Sequence, residues 1–184
     1  MINRYNQLPA LARVPLKFGA VAALLNCALM FLLFKAERHP SLIPPYLDSR
    51  ILVFLVFIYF ALREYKVVYN NGILHFWEGL FMGISVYLTV GILGAFFILI
   101  ISKYDASFVS MYIQNVVEGI ERAREEMLNG PQKVKMTEEE FDNLLDGLKQ
   151  TTAAGLAIDY FIKSCIIGFL IPLVYSVIFR KTDN

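Results

Sequence analysis

The sequence predicts an all-α membrane protein: four transmembrane helices, with a helical hairpin outside the bilayer between the third and fourth spans. Three observations predict it. Apolar residues make up 57% of the 184 positions, and the 11 glycines bring that share to about 63%, against roughly 45–50% in a soluble domain. Charged residues are only 18%, below the roughly 25% of a soluble chain. The charges are also partitioned. Residues 1–103 carry 9 Lys/Arg and 4 acids, residues 104–155 carry 5 and 10, and residues 156–184 carry 3 and 2. The boundaries read as residues 1–103 for transmembrane helices one to three, 104–155 for an acidic extramembrane hairpin, and 156–184 for the fourth helix with a short basic tail. This composition excludes a disordered chain, an ordinary soluble enzyme and a nucleic-acid binder held by phosphate contacts.

A helical span needs about 20 apolar residues to cross a hydrocarbon core of about 30 Å. Residues 16–34 form the first, with Lys17 at its edge, where its stem can reach the interface. No small-x-small cleavage site follows the run, so an uncleaved span is expected rather than a signal peptide. Residues 51–69 form the second. Only twelve residues separate Arg50 from Arg63, so this helix must take in Arg63, Glu64 and Lys66 at one end. Pro44-Pro45 marks the break before it. Residues 77–101 form the third and clearest span, uncharged from Gly79 to Ile101. Asn70-Asn71-Gly72 supplies the turn that makes spans two and three a tight pair, with Tyr69 and Trp77 as interface aromatics. Residues 157–179 form the fourth, which must include Asp159 and Lys163 at i,i+4 spacing and carries a kink-prone Pro172. Counting Lys/Arg near the span ends gives seven on the N-terminal side and five on the other, which places both termini in the cytoplasm. Cys27 and Cys165 both lie in apolar runs and read as small packed hydrophobes.

The acidic segment is patterned. Ile113, Val116, Val117, Ile120, Ala123 and Met127 repeat at spacings of three and four, one apolar stripe on a helix that Asn129-Gly130-Pro131 stops. Thr137 and Glu140 form a capping box, Met136 and Phe141 a hydrophobic staple, and Phe141, Leu144, Leu145 and Leu148 an apolar face. The two stripes predict a hairpin that covers itself on the membrane surface. Glu138-Glu139-Glu140 reads as a solvated first turn favoured by the helix dipole.

Ala61-Leu62-Arg63-Glu64-Tyr65, Phe76-Trp77-Glu78-Gly79 with Gly83, Met136-Thr137-Glu138-Glu139, and Gly168 through Arg180-Lys181 together resemble a family of small inner-membrane proteins of Bacteroidota, the domain of unknown function 4199. The resemblance implies a four-span helical protein of a bacterial inner membrane and supplies no activity. The family pattern has a proline after the acid in Tyr104-Asp105-Ala106. Alanine there predicts a smoother run from span three into the hairpin.

Few residues invite chemistry. Arg63, Lys66, His75 and Glu78 gather at the turn between spans two and three, where Glu78 is expected to form a structural ion pair with a cation at the same depth. Asp159 and Lys163 are expected to pair near the outer end of span four. Gly79, Gly83, Gly91 and Gly94 open a smooth face on span three for close helix packing, within the bundle or between copies. No nucleophile with a base, paired-histidine metal motif or phosphate loop is present, so no catalytic, metal or cofactor-binding residue is expected. The expected partners are the lipid bilayer and a second copy or another membrane protein, reached through the acidic hairpin or the glycine face. The competing expectation is a small transporter or channel subunit using Asp159, Lys163 and Glu78.

Overall fold

In the computed structural model, residues 9–43, 48–129 and 137–181 are described, and among them the chain is all-helical. Three helices are long and apolar enough to cross a membrane: α1 (Ala10–Lys35), α3 (Phe76–Tyr104) and α7 (Ala153–Phe179). Between them lie α2 (Ser49–Glu64), then α4 (Ser107–Arg122), α5 (Arg124–Asn129) and α6 (Glu138–Lys149). Pro44-Pro45, Gly130-Pro131 and Met136, read above as breaks and a staple, lie outside the described residues.

The predicted second span differs most from its reading. Its α-helical part has 16 residues, about 24 Å at 1.5 Å per residue. It begins at Asp48, whose carboxylate accepts the Arg50 backbone N–H at 2.9 Å, and it passes into a π-helical stretch, Tyr65–Tyr69. The chain then reverses at Asn71 and Gly72, which take φ of 50° and 84°. Gly72 donates its N–H to the Lys66 carbonyl at 2.7 Å. Glycine adopts this left-handed backbone at little cost. The turn is tied to the end of α7 by a two-bond bridge, Leu74 to Lys181, both at 3.0 Å.

The smooth continuation predicted after span three is absent. Asp105 leaves the helix at φ −138° and accepts the Ser107 N–H at 3.0 Å. The Ser107 hydroxyl and backbone hold its carboxyl below the usual carboxylate range. A short acid that bonds the backbone two residues on ends a helix without help from proline. The first helix of the acidic segment is likewise interrupted, at Ala123. The capping box at Thr137 and Glu140 is present, with Thr137 N–H reaching Glu140 at 2.8 Å and Glu140 N–H reaching the Thr137 hydroxyl at 3.2 Å. α4 packs against α6. Phe141 and Leu145 are buried there, and Arg124 lies over the Phe141 ring at 5.2 Å.

The most extensive helix contact is α3 on α7, followed by α1 on α3. Phe54, Ile58, Leu62, Met82, Val86 and Val90 are fully buried in one apolar core. A second core joins Met30, Phe34, Ile98, Leu156 and Tyr160 to Phe108 at the start of α4. The outward faces are also apolar: Leu24, Leu52, Leu170, Val177 and Ile178 are each at least 65% exposed. Apolar surface on this scale is what a lipid-facing bundle presents and what a water-soluble one avoids.

Candidate functional site

The α3–α7 contact is built on glycine. A Cβ at Gly83 would stand 3.2 Å from the Pro172 Cα, one at Gly79 3.3 Å from the Ser176 Cα, and one at Gly91 3.2 Å from the Phe161 ring. Gly94 lies flat against the Tyr160 ring. Absence of a side chain lets the two backbones approach, so dispersion contacts gather along the whole seam. The structure therefore places Gly79, Gly83, Gly91 and Gly94 against α7 of the same chain.

Tyr160, seated on Gly94, is the hub of a buried polar layer. Its carbonyl accepts from the Ser164 hydroxyl at 2.8 Å and from Arg50 Nη1 at 3.2 Å. Arg50 Nη1 also donates to the Ser164 oxygen at 3.1 Å. Nε of Arg50 donates to both Asp48 oxygens, at 2.9 and 2.8 Å, and Nη2 meets the same carboxylate. The guanidinium sits over the Tyr160 ring, 4.7 Å from its centre. Asn26 Nδ2 donates to the Tyr160 hydroxyl, drawing α1 into the layer. Arg50 is 6% exposed and Asn26 1%. This bidentate, aromatic-backed geometry is the one an arginine needs when it leaves water.

Asp159 and Lys163 lie beside this layer on the outer face of α7. Lys163 Nζ is 2.6 Å from Asp159 Oδ2, with the side chains 43% and 40% exposed. The Lys163 side chain reaches a cleft of about 420 Å³ between α7 and the start of α2, whose wall includes Asp48 and Arg50.

A second polar layer lies at the opposite end of α2. The expected ion pair between Glu78 and Lys66 or Arg63 is not formed. Glu78 instead accepts from the Tyr65 hydroxyl at 3.0 Å, Asn70 Nδ2 at 3.3 Å and the His75 backbone N–H at 2.9 Å, with His75 Nδ1 at 3.1 Å. It is thus the capping carboxylate of α3, satisfied locally by its own helix start and the preceding turn. Lys66 reaches the other way and donates to the Phe179 carbonyl at 2.8 Å, closing the C-terminus of α7. Arg63 is exposed and has no ion-pair partner among the described residues. Lys17 and Glu64 join α1 to α2 at 2.6 Å, and Arg13 lies over Tyr69.

Sequence reasoning missed Arg50, which it counted as a loop charge. The signal was the twelve-residue gap to Arg63. That gap forces charge into the span at one end, and the reading assigned it only to the Arg63 end. Asn26 was noted as polar, but nothing in the sequence pairs it with a residue 134 positions away. Among the described residues no three His, Cys, Asp or Glu side chains gather where they could hold a metal ion.

Fold and site together define a class: among the described residues, an all-helical chain with three helices of membrane-crossing length, apolar faces turned outward, and two layers of clustered polar groups. Within that class the particular family is settled by sequence. Residues 17–181 match the family described as protein of unknown function DUF4199, and the chain belongs to it. Neither a curated protein nor a solved structure matches the chain.

Proposed function

We propose that the chain is a four-span protein of the bacterial inner membrane that acts by contact with another protein, without catalysis, and presents α4–α6 as an acidic hairpin outside the lipid. The observation that carries this reading is where the charges stand. Arg50 and Lys66 are sixteen residues apart on one nearly continuous helical segment, and Lys163 and Phe179 are sixteen apart on α7. Both intervals correspond to about 24 Å of rise, and α2 extended by its π-helical stretch spans that thickness. Between the two layers the core is filled by Phe54, Ile58, Met82, Val86 and Val90, all fully buried. A transporter using Asp159, Lys163 and Glu78 needs a wet polar path from one layer to the other, and this dry packing favours the contact reading over it.

The acidic hairpin is the surface best suited to the contact. Its exposed faces carry Glu121, Glu125, Asp142 and Asp146, while Phe141 and Leu145 hold it together. Affinity isolation of the full chain in mild detergent is expected to recover a membrane partner that Leu145→Asp loses while the variant still fractionates with the membrane. A burial-dependent seam cannot take a charge without opening. A partner retained in full by the opened variant sinks the hairpin assignment.

Topology is a separate expectation. The Lys/Arg bias puts both termini in the cytoplasm and the hairpin on the far side. A phosphatase fusion at residue 130 should be active and one at the C-terminus inactive. The reverse pattern turns the protein over.

A further inference from the structure

We propose that the cleft between the start of α2 and the outer face of α7 is a binding site for one anionic phospholipid, its phosphate held by Lys163 and the Arg50 edge and its acyl chain lying along α7. The inference rests on the membrane reading above and extends it to a ligand.

The hydrogen-bonding capacity left in the cleft decides the sign of the ligand. Among the described residues its one lining carboxylate, Asp48, already accepts from Arg50 Nε, Nη2 and the Arg50 backbone N–H. Its donors are not used up. A guanidinium carries five N–H groups and an ammonium three. Arg50 spends its Nη1 on Tyr160 and Ser164, and Lys163 has one acid, Asp159, beside it. The Ser41 hydroxyl, buried in the same wall, has no hydrogen-bond partner among the described residues. A cleft with spare donors and a saturated acceptor attracts an anion rich in acceptor oxygens. With Asp159 beside Lys163 the cations and carboxylates at the cleft balance, so the spare N–H groups, not the net charge, set the sign.

The surroundings decide that the anion is attached to hydrocarbon. The rest of the wall is apolar, with Leu42, Ile166 and Ile167 flanking the charges. Below Lys163 the residues at helical spacing on the same face are Ile166, Leu170 and Val174, exposed by 66%, 65% and 55%. A phosphate bound at Lys163 thus stands at the head of a ready-made apolar track, the geometry of a lipid with its head among donors and its tail along a helix. A small soluble phosphate ester leaves that track uncovered.

The test uses the full chain in mild detergent, titrated with dioleoylphosphatidylglycerol or dioleoylphosphatidylcholine and read by native mass spectrometry. Wild type is expected to retain the glycerol lipid roughly tenfold better than the choline lipid. Lys163→Gln, at a half-exposed position on the outer face of α7, should abolish most of that preference, and Lys163→Arg should keep it. Asp159→Asn should strengthen it, because it removes the acid that competes for Lys163; a merely structural role for the pair predicts the opposite. An unchanged preference in Lys163→Gln overturns the proposal. Displacement of the lipid by an equal concentration of inorganic phosphate also overturns it, in favour of a free-anion site. Release of the chain from membranes without detergent would instead refute the membrane reading on which the site depends.

Discussion

Asp48→Asn is expected to destabilise the protein by about 3–5 kcal/mol, the usual cost of leaving a buried charge without its counterion. Arg50 is 6% exposed and its three carboxylate contacts all go to Asp48. Asparagine keeps the helix cap, because its side-chain oxygen can still accept the Arg50 backbone N–H, so the loss isolates the charge from the cap. The double variant Asp48→Asn with Arg50→Met should recover most of the loss, since a buried ion pair gains little over well-packed apolar groups. Thermal unfolding in detergent measures both. The Tyr160–Ser164 bond survives in every variant because it lies within α7. A single variant as stable as wild type would mean that Asp48 is not the counterion on which the buried Arg50 depends.

The second large effect is expected from pH and comes from a residue that the sequence did not mark. His39 lies in the connection after α1, 3% exposed, with its ring 4.6 Å from Phe108 and 5.1 Å from Tyr112. Its Nδ1 accepts the Ser41 N–H at 3.2 Å. The neutral ring therefore carries its proton on Nε2, which has no well-formed hydrogen bond among the described residues. Burial pushes the imidazole from 6.5 down to about 4, opposed weakly by the Phe108 backbone. The sign follows directly. Above pH 6.5 both folded and unfolded histidines are neutral and nothing is lost. As pH falls from 6.5 toward 4 the unfolded chain takes up a proton that the folded chain refuses, so stability declines across that window and this group costs nothing further below it. The full loss is about 3 kcal/mol. Because His39 packs on Phe108, the decline should appear first as loosening of α4 from the bundle. His39→Phe, which keeps the aromatic stack, should be flatter than wild type between pH 7 and 4.5 by most of that amount. Hydrogen exchange of residues 107–122 should show the same difference. Parallel curves for the two proteins would remove His39 as the cause.

These two groups mark where reading the chain stopped. Helix existence was legible wherever apolar runs exceed the bilayer length, because such a run has one low-energy destination and one way to satisfy its backbone there. The Thr137–Glu140 cap was legible because capping is local: donor and acceptor are three residues apart and the fold need not be known. Glu78 shows the limit of the same reasoning. Its depth was read as beside cations, and its own turn satisfied it first, since a carboxylate at the third helical position reaches its cap without crossing to another helix. Lys66, freed from that role, took the carbonyl at the end of α7.

By itself the sequence determined the three long apolar helices read at residues 16–34, 77–101 and 157–179, the acidic character of residues 104–155 and the family to which the chain belongs, but not the fourth span read at residues 51–69. These are sums over composition and local spacing, and they do not depend on how the helices are arranged. The fold alone decided that the span-three glycines receive α7, that Tyr160 gathers Asn26, Arg50 and Ser164 from three helices, that α2 starts inside the bundle with a buried ion pair, and that His39 is sealed under Phe108. Each depends on contacts between residues far apart in the chain. A single sequence carries no trace of which distant partner will desolvate a charge. That is settled only when helices pack and the low-dielectric interior makes an unpaired polar group too costly to keep.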